Sequence, residues 1–254
     1  MIANYHTHTR WCNHATGEIE DYLDAAIDAG LYEIAITEHV PHKDNRDPKR
    51  IQWEDFHKYN DALDGAIERY KGKIKVIKGF ECEYYPEAMG AYEIFREKYG
   101  YEIMILGQHR SGDDREIDNF GKKDAAKMMR YADEICTGLK TGMFDFLAHP
   151  DLVLENYNDN KWDENCEKVM GRIFKACEDY SIPVEINANG IRGSKRYPDD
   201  NAFMLSKEYG LTYLVNSDAH HPEHLCDDMV KRAEEMADSL GITVSNKFDF
   251  RRKR

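Results

Sequence analysis

The 254-residue sequence has no apolar run approaching the 18 or more residues of a spanning helix, no C-x-x-C pair, no excess of basic residues and no Pro/Gly/Ser-rich linker. The first absence excludes a helical membrane protein. Met1 to His6 also lacks a basic stretch followed by an apolar one, so the reading predicts a cytoplasmic protein without a secretory signal. Six scattered cysteines, Cys12, Cys82, Cys136, Cys166, Cys177 and Cys226, are read as reduced thiols, because a chain this long does not need disulfide staples. With 35 Lys and Arg against 48 Asp and Glu, the net charge of −13 repels phosphate backbones and anionic lipid, so no nucleic-acid or membrane partner is expected. The missing linker argues for one continuous domain over residues 1–254, with 241–254 as a C-terminal segment whose basic tail, Lys247 to Arg254, is a solvated end.

Short apolar runs alternate with longer amphipathic ones. Strands are predicted at Ile2 to His6, Glu33 to Thr37, Ile74 to Phe80, Glu102 to Leu106, Phe144 to Ala148, Pro183 to Ile186 and Thr212 to Val215. Helices are predicted at Ile19 to Ala29 and near 54–70, 89–98, 122–140, 161–181, 199–209 and 223–240, several of them ending close to a glycine. Such alternation predicts parallel strands with helical crossovers. A closed or nearly closed (β/α) barrel accounts for seven repeats better than a two-sided open sheet.

Eleven histidines are present, and most fall at the ends of the apolar segments. The first strand ends in His6-Thr7-His8, whose imidazoles, two residues apart, share one side of the strand. His14 follows in the next loop, and later strands end at Glu38-His39, at Glu81-Cys82-Glu83, at His109, at His149 and at Asp218-Ala219-His220. In a parallel barrel all these carboxyl-terminal ends meet on one face. A single histidine there would be an ordinary core residue bonded to a carbonyl; six strand ends sharing this chemistry predict a metal site, with Glu81 able to bridge two ions. Imidazoles mixed with carboxylates suit Zn, Fe or Mn, whereas Ca or Mg takes oxygen alone and structural zinc takes clustered thiolates. Cys12 is read as a spectator, His57 as structural, and His42, His221 and His224 as solvated or as neighbours of the ligands.

These residues resemble the PHP (polymerase and histidinol phosphatase) superfamily of metal-dependent phosphoesterases, with the motifs His6-Thr-His8, Glu38-His39, Glu81, His109, His149 and Asp218-Ala-His220 between residues 2 and about 221. The stretches 6–14, 37–41 and 185–192 are similar to its histidinol-phosphate phosphatase branch. Two departures from that branch are Gly107-Gln108-His109-Arg110, where Gly-Ser-Val-His is usual, and a glycine after Arg192, where lysine is common. The resemblance implies a distorted (β/α)7 TIM-like barrel holding three divalent metal ions: one on His6, His8, Glu81 and Asp218, a second on Glu81, His109 and His149, and a third on His14, His39 and His220. It implies a phosphomonoesterase in which a metal-bridging hydroxide on the Glu81 side attacks phosphorus in line, with a small phosphorylated molecule, histidinol phosphate first, as substrate. Asp218 is the candidate acceptor of the nucleophile's proton, with His220 as the alternative shuttle, and Glu38 or Glu83 as orienting partners of the imidazoles. Arg192 is the first choice for the guanidinium that grips the phosphate, with Arg110 and Arg196 as the other candidates. The alternatives are another phosphoester (nucleotide, phosphotyrosine or phosphodiester), a non-catalytic metal-binding regulator, and an amidohydrolase on a similar barrel. The oligomeric state has no sequence signature here.

Overall fold

The computed structural model describes residues 1–245 and 247–250. Seven parallel strands, β1 (Ala3–Asn4), β2 (Glu33–His39), β3 (Lys75–Cys82), β4 (Ile103–Leu106), β7 (Phe146–Leu147), β8 (Val184–Asn187) and β9 (Tyr213–Asn216), form one sheet in that order. A separate antiparallel hairpin, β5 (Arg110–Ser111) with β6 (Ile117–Asp118), follows β4. All seven predicted strands are present, and the sheet curls into a nearly closed barrel. Helices α1 (Ile19–Asp28), α2 (Phe56–Tyr70), α3 (Met89–Tyr99), α4 (Ala125–Lys140), α5 (Glu164–Asp179), α6 (Ala188–Arg192), α7 (Asp200–Ser206) and α8 (Asp228–Leu240) lie between the strands or, in the case of α8, after the last.

The strands read as unbroken apolar runs because both faces are covered. On β4, Ile103 and Ile105 point into the barrel while Met104 and Leu106 pack under the helices; on β2, Ala35 points inward between outward Ile34 and Ile36. The period of two then changes chemistry along its length: the inward row on β3 runs Ile77, Gly79, Glu81 and that on β2 runs Ala35, Thr37, His39. Apart from Glu33, which starts the inward row of β2 and is bonded by the Tyr5 hydroxyl and Lys75, the lower interior is apolar, and the carboxyl ends deliver polar groups into it.

Closure between the first and last strands is made mainly by side chains. A single bridge pairs Thr7 with Ala219, and His8 N–H donates to the Ala219 carbonyl at 2.9 Å. Below it, Asn4 Oδ1 accepts from Ser217 N–H at 2.8 Å, and Asn216 Oδ1 accepts from Tyr5 N–H at 2.9 Å. The asparagine amides replace a backbone ladder at the seam, which is the distortion of this barrel.

Five helices start later than predicted, and four of them, α4, α5, α7 and α8, begin behind an aspartate that caps them. Asp124, Asp163, Asp199 and Asp227 accept N–H groups of the first turns of α4, α5, α7 and α8, satisfying donors that no intrahelical carbonyl reaches. The tail also differs from expectation. Lys247 is exposed, but Phe250 is buried at the foot of the barrel, its ring 4.8 Å from that of Tyr5, while Phe248 N–H donates to the Tyr5 hydroxyl at 3.0 Å. The 247–250 part of the tail is therefore a plug and not a solvated end; residues 246 and 251–254 lie outside the described residues.

Asn4→Ala would strand the buried Ser217 N–H in the seam, and loss of about 2 kcal/mol of stability is expected from urea denaturation of the variant. A midpoint equal to that of the parent would show that the seam does not depend on this amide.

Candidate metal centre

Glu81 ends the inward row of β3, and its carboxylate is wrapped by five imidazoles from four other segments. Oε2 lies 3.3 Å from His6 Nε2, 3.3 Å from His8 Nε2 and 3.1 Å from His39 Nδ1, while Oε1 lies 3.3 Å from His109 Nε2 and 2.8 Å from His149 Nε2. Asp218 Oδ1 stands 3.5 Å from His6 Nε2 and 3.3 Å from His8 Nε2. His14 and His220 meet at the rim with Nε2 atoms 3.0 Å apart, and His8 stacks on His39 and His220 with ring centroids 4.3 and 4.6 Å away. All nine predicted ligand residues therefore come together at the carboxyl-terminal mouth of the barrel.

The backbone makes room for this crowding at a cost. A Cβ on Gly107 would lie 2.1 Å from Glu81 Oε1, so the residue after β4 has to be glycine for the carboxylate to fit. His149 and Asp218 have φ of 27° and 44°, values that side-chain-bearing residues rarely adopt. Each costs on the order of 1 kcal/mol and is held by its surroundings. His149 N–H donates to Glu185 Oε2 at 3.0 Å, while Asn187 and Asn189 donate to Asp218 Oδ2 at 3.2 and 3.3 Å.

A ring of acids behind the imidazoles fixes their orientation. Glu185 Oε1 lies 2.9 Å from His6 Nδ1, Glu83 Oε1 lies 3.0 Å from His109 Nδ1, and backbone carbonyls of Cys12 and Asp218 sit 2.9 and 3.0 Å from the Nδ1 atoms of His14 and His220. Glu83 is itself clamped by both terminal nitrogens of buried Arg50 at 3.1 and 2.8 Å. Glu38 has one oxygen bonded to Thr9 and the other 3.8 Å from His8 Nδ1. Glu83 and Glu38 were expected; Glu185 and Arg50 were not. An acid in the middle of the short apolar strand Val184–Asn187 was the available signal for Glu185, whereas nothing in the loop around Arg50 announced its role.

The donor set fits divalent cations. Among the described residues, His6 Nε2, His8 Nε2, His39 Nδ1 and Asp218 Oδ1 are buried without a hydrogen-bond partner, a costly state unless a cation satisfies them. Groups of three donors within 4.8 Å of one another include His6, His8 and Glu81; His39, Glu81 and His109; and His8, His39 and His220. Cys12 also stands within reach of His14 and His220, but burial pushes its thiol up, and its Sγ donates to the Thr9 carbonyl at 3.2 Å, consistent with a spectator.

Charge is divided within the cluster. Burial alone would raise the Glu81 carboxyl, yet the imidazoles of His109, His6 and His39 hold it well below the usual range. For His6 and His8, burial is opposed by the facing carboxylates, led by Asp218, which leave His6 well above its ordinary value and His8 at about 10. Burial, reinforced by the charge of His8, lowers His39 strongly and His220 to about 3, leaving neutral imidazoles ready to donate a lone pair.

The cavity above the cluster has a volume of about 610 Å3 and is walled by Lys49, Arg110, Asp118, Phe120, Asn189 and Tyr197 among others. Of the three predicted arginines, only Arg110 lines it, and its guanidinium has no hydrogen-bond or ion-pair partner among the described residues. Arg192 spends all five donors on protein: two on the Asp227 carboxylate at 2.9 and 3.0 Å, and one each on Asn189 Oδ1 and the Ser217 and His224 carbonyls. In this arrangement it braces the Asn189 that holds Asp218. Arg196 is buried against Asp199 and the carbonyls of Leu154 and Tyr157, away from the cavity wall.

The model of the PHP domain matches residues 4–189. The chain belongs to the PHP domain family. A probable histidinol-phosphatase of Deinococcus radiodurans is 24% identical over 253 residues, covering 96% of both chains, and one of Schizosaccharomyces pombe is 24% identical over 96% of this chain and 88% of its own. Among solved structures, the histidinol phosphate phosphatase of Lactococcus lactis, complexed with zinc, L-histidinol and phosphate, superposes with a TM-score of 0.76 at 17% identity, covering 98% of this chain and 97% of that one. The shared PHP fold is thus a seven-stranded barrel, as its motifs implied. No helix among the described residues is long and apolar enough to cross a membrane.

Two outcomes are expected of this centre. Because His6 and His8 carry protons that a metal must displace, zinc affinity measured by chelator competition should rise between pH 6 and 9, about tenfold per unit for each proton released; a flat profile would contradict the charge distribution described. Gly107→Ala should lose bound metal by elemental analysis while keeping its far-ultraviolet circular dichroism.

Proposed function

We propose that this PHP-family chain is a metal-dependent phosphomonoesterase that hydrolyses L-histidinol phosphate to L-histidinol and phosphate. The observation that carries this reading is the Glu81 carboxylate, each of whose oxygens faces a separate group of imidazoles at the floor of an open cavity. His6, His8, Glu81 and Asp218 would hold one divalent ion, Glu81, His109 and His149 a second, and His14, His39 and His220 a third, with Zn, Fe or Mn the metals that suit the donors. Bound there, such ions neutralise a phosphoryl dianion and lower the pKa of water, so that hydroxide is available near neutral pH. The histidinol phosphatases that resemble this chain over nearly its full length, and the zinc, histidinol and phosphate in the Lactococcus lactis structure, support the substrate and the metal.

The protein's own groups divide the remaining work. Asn187 and Asn189 hold Asp218 by Oδ2, which directs Oδ1 toward His6 and His8 as the oxygen that would ligate the metal. Arg110, with Lys49 on the cavity wall, supplies positive charge for the non-bridging phosphate oxygens. Arg192 acts one step back by bracing Asn189, and Arg196 is left a structural part. Glu185 and Glu83 hold His6 and His109 in position. The net charge of −13 suits a small substrate drawn in by local cations better than a polyanion.

Chelation should abolish histidinol-phosphate hydrolysis, and added Zn, Mn or Fe should restore it; Glu81→Ala should lower metal content and cut turnover by at least about a thousandfold, since it touches both donor groups. Full activity in metal-free protein would end the proposal. Arg110→Ala is expected to reduce kcat/KM about tenfold or more with metal content unchanged.

A further inference from the structure

The hairpin that follows His109 presents an opposite-charge pair that the protein itself does not close. In the β5–β6 register Arg110 faces Asp118 directly, which places their Cβ atoms roughly 5 Å apart. Such pairs ordinarily form an ion pair, yet among the described residues the two side chains make none, and both line the cavity over the metal centre. The hairpin is anchored from below: buried Asn119 donates to the Gln108 carbonyl at 2.9 Å and to Ser111 Oγ at 3.0 Å, and its N–H donates to the His109 carbonyl at 3.0 Å. Asp118 Oδ1 accepts from Phe120 N–H at 2.9 Å, which pins the carboxylate and leaves its second oxygen without a hydrogen bond among the described residues. Phe120 in turn lies parallel to His109 at 5.8 Å and 6.4 Å from Tyr197, so an aromatic wall adjoins the acid.

A ligand satisfying both charges needs an anion and a cation a few ångströms apart in one molecule. A phosphate monoester of a 2-amino alcohol has that spacing, with the ammonium two carbons from the ester oxygen. We infer that the Arg110–Asp118 pair is a zwitterion clamp that selects phosphate esters of 2-amino alcohols, Arg110 taking a phosphoryl oxygen, Asp118 the ammonium, and Phe120 with Tyr197 an aromatic substituent. This rests on the phosphomonoesterase reading and adds the source of its selectivity, which the metal ligands do not supply. Asp118 is a specificity-determining residue, because its contact is with the part of the substrate that leaves.

The test compares L-histidinol phosphate with 3-(imidazol-4-yl)propyl phosphate, the same ester without its amine, in the metal-loaded parent protein and in Asp118→Asn, which keeps the bond to Phe120 N–H. The parent should prefer the amine-bearing ester by about tenfold or more in kcat/KM, chiefly through KM, and the variant should bring that ratio close to one. Asp118→Glu, which keeps the charge, should retain most of the preference. A parent that hydrolyses the esters without distinguishing them, or a variant that keeps the parent's ratio, overturns the clamp and leaves the phosphatase reading standing. A metal-loaded parent inactive on both esters overturns that reading and the clamp with it.

Discussion

Everything at the mouth of this barrel depends on one buried carboxylate that cannot be satisfied by hydrogen bonds alone. Glu81 is enclosed by five imidazoles, and its burial would be prohibitive without positive charge on both oxygens. In metal-free protein protons on His6 and His8 can supply part of that charge; cations supply it better, because they also satisfy lone pairs on His6, His8 and His39 that have no partner. The fold therefore presents a site in which metal and proton compete for the same atoms, and the surrounding acids Glu185, Glu83 and Glu38 set the imidazole orientations for that competition.

The barrel is adapted to carry this load unevenly. Its lower half is largely apolar, with one buried acid, Glu33, held by the Tyr5 hydroxyl and Lys75, and is closed at the foot by Phe250 against Tyr5 and Phe146. Its upper half exchanges packing for polar contacts: asparagine amides at the seam, a glycine beside Glu81, and two functional residues with positive φ. Strain at His149 and Asp218 is tolerated because Glu185, Asn187 and Asn189 hold the same residues from the other side. One residue, Glu185, serves both functions, since its two oxygens orient the His6 ring and accept the His149 backbone N–H.

How much of this could be read from the chain follows from which interactions are local. The strands were legible because β-branched and apolar runs alternate with amphipathic helices, and the ligands were legible because each histidine or acid stands at a strand end, where a parallel barrel must gather them. Helix starts were misplaced by a few residues where an aspartate cap, visible in the sequence, marked the true boundary. The short helix Ala188–Arg192 and the hairpin at 110–118 were missed because neither is long enough to show a period. Phe250 was missed because its partners, Tyr5 and Phe146, are distant in sequence, so the basic residues around it dominated the reading.

The arginines show where sequence reasoning stops. Arg192, Arg110 and Arg196 are indistinguishable by type and all lie near ligand segments, so only the fate of their donors separates them. Arg192 has none to spare, because Asp227, which also caps α8, takes two and three further acceptors take the rest. Arg196 is spent on the loop after β7. Among the described residues the Arg110 guanidinium is left without a partner, because the residue opposite it across the hairpin, Asp118, is tethered to the backbone of Phe120 rather than to the guanidinium. An arginine becomes available to a substrate here by being denied its nearest carboxylate, a property of register and tether that no residue-type pattern encodes.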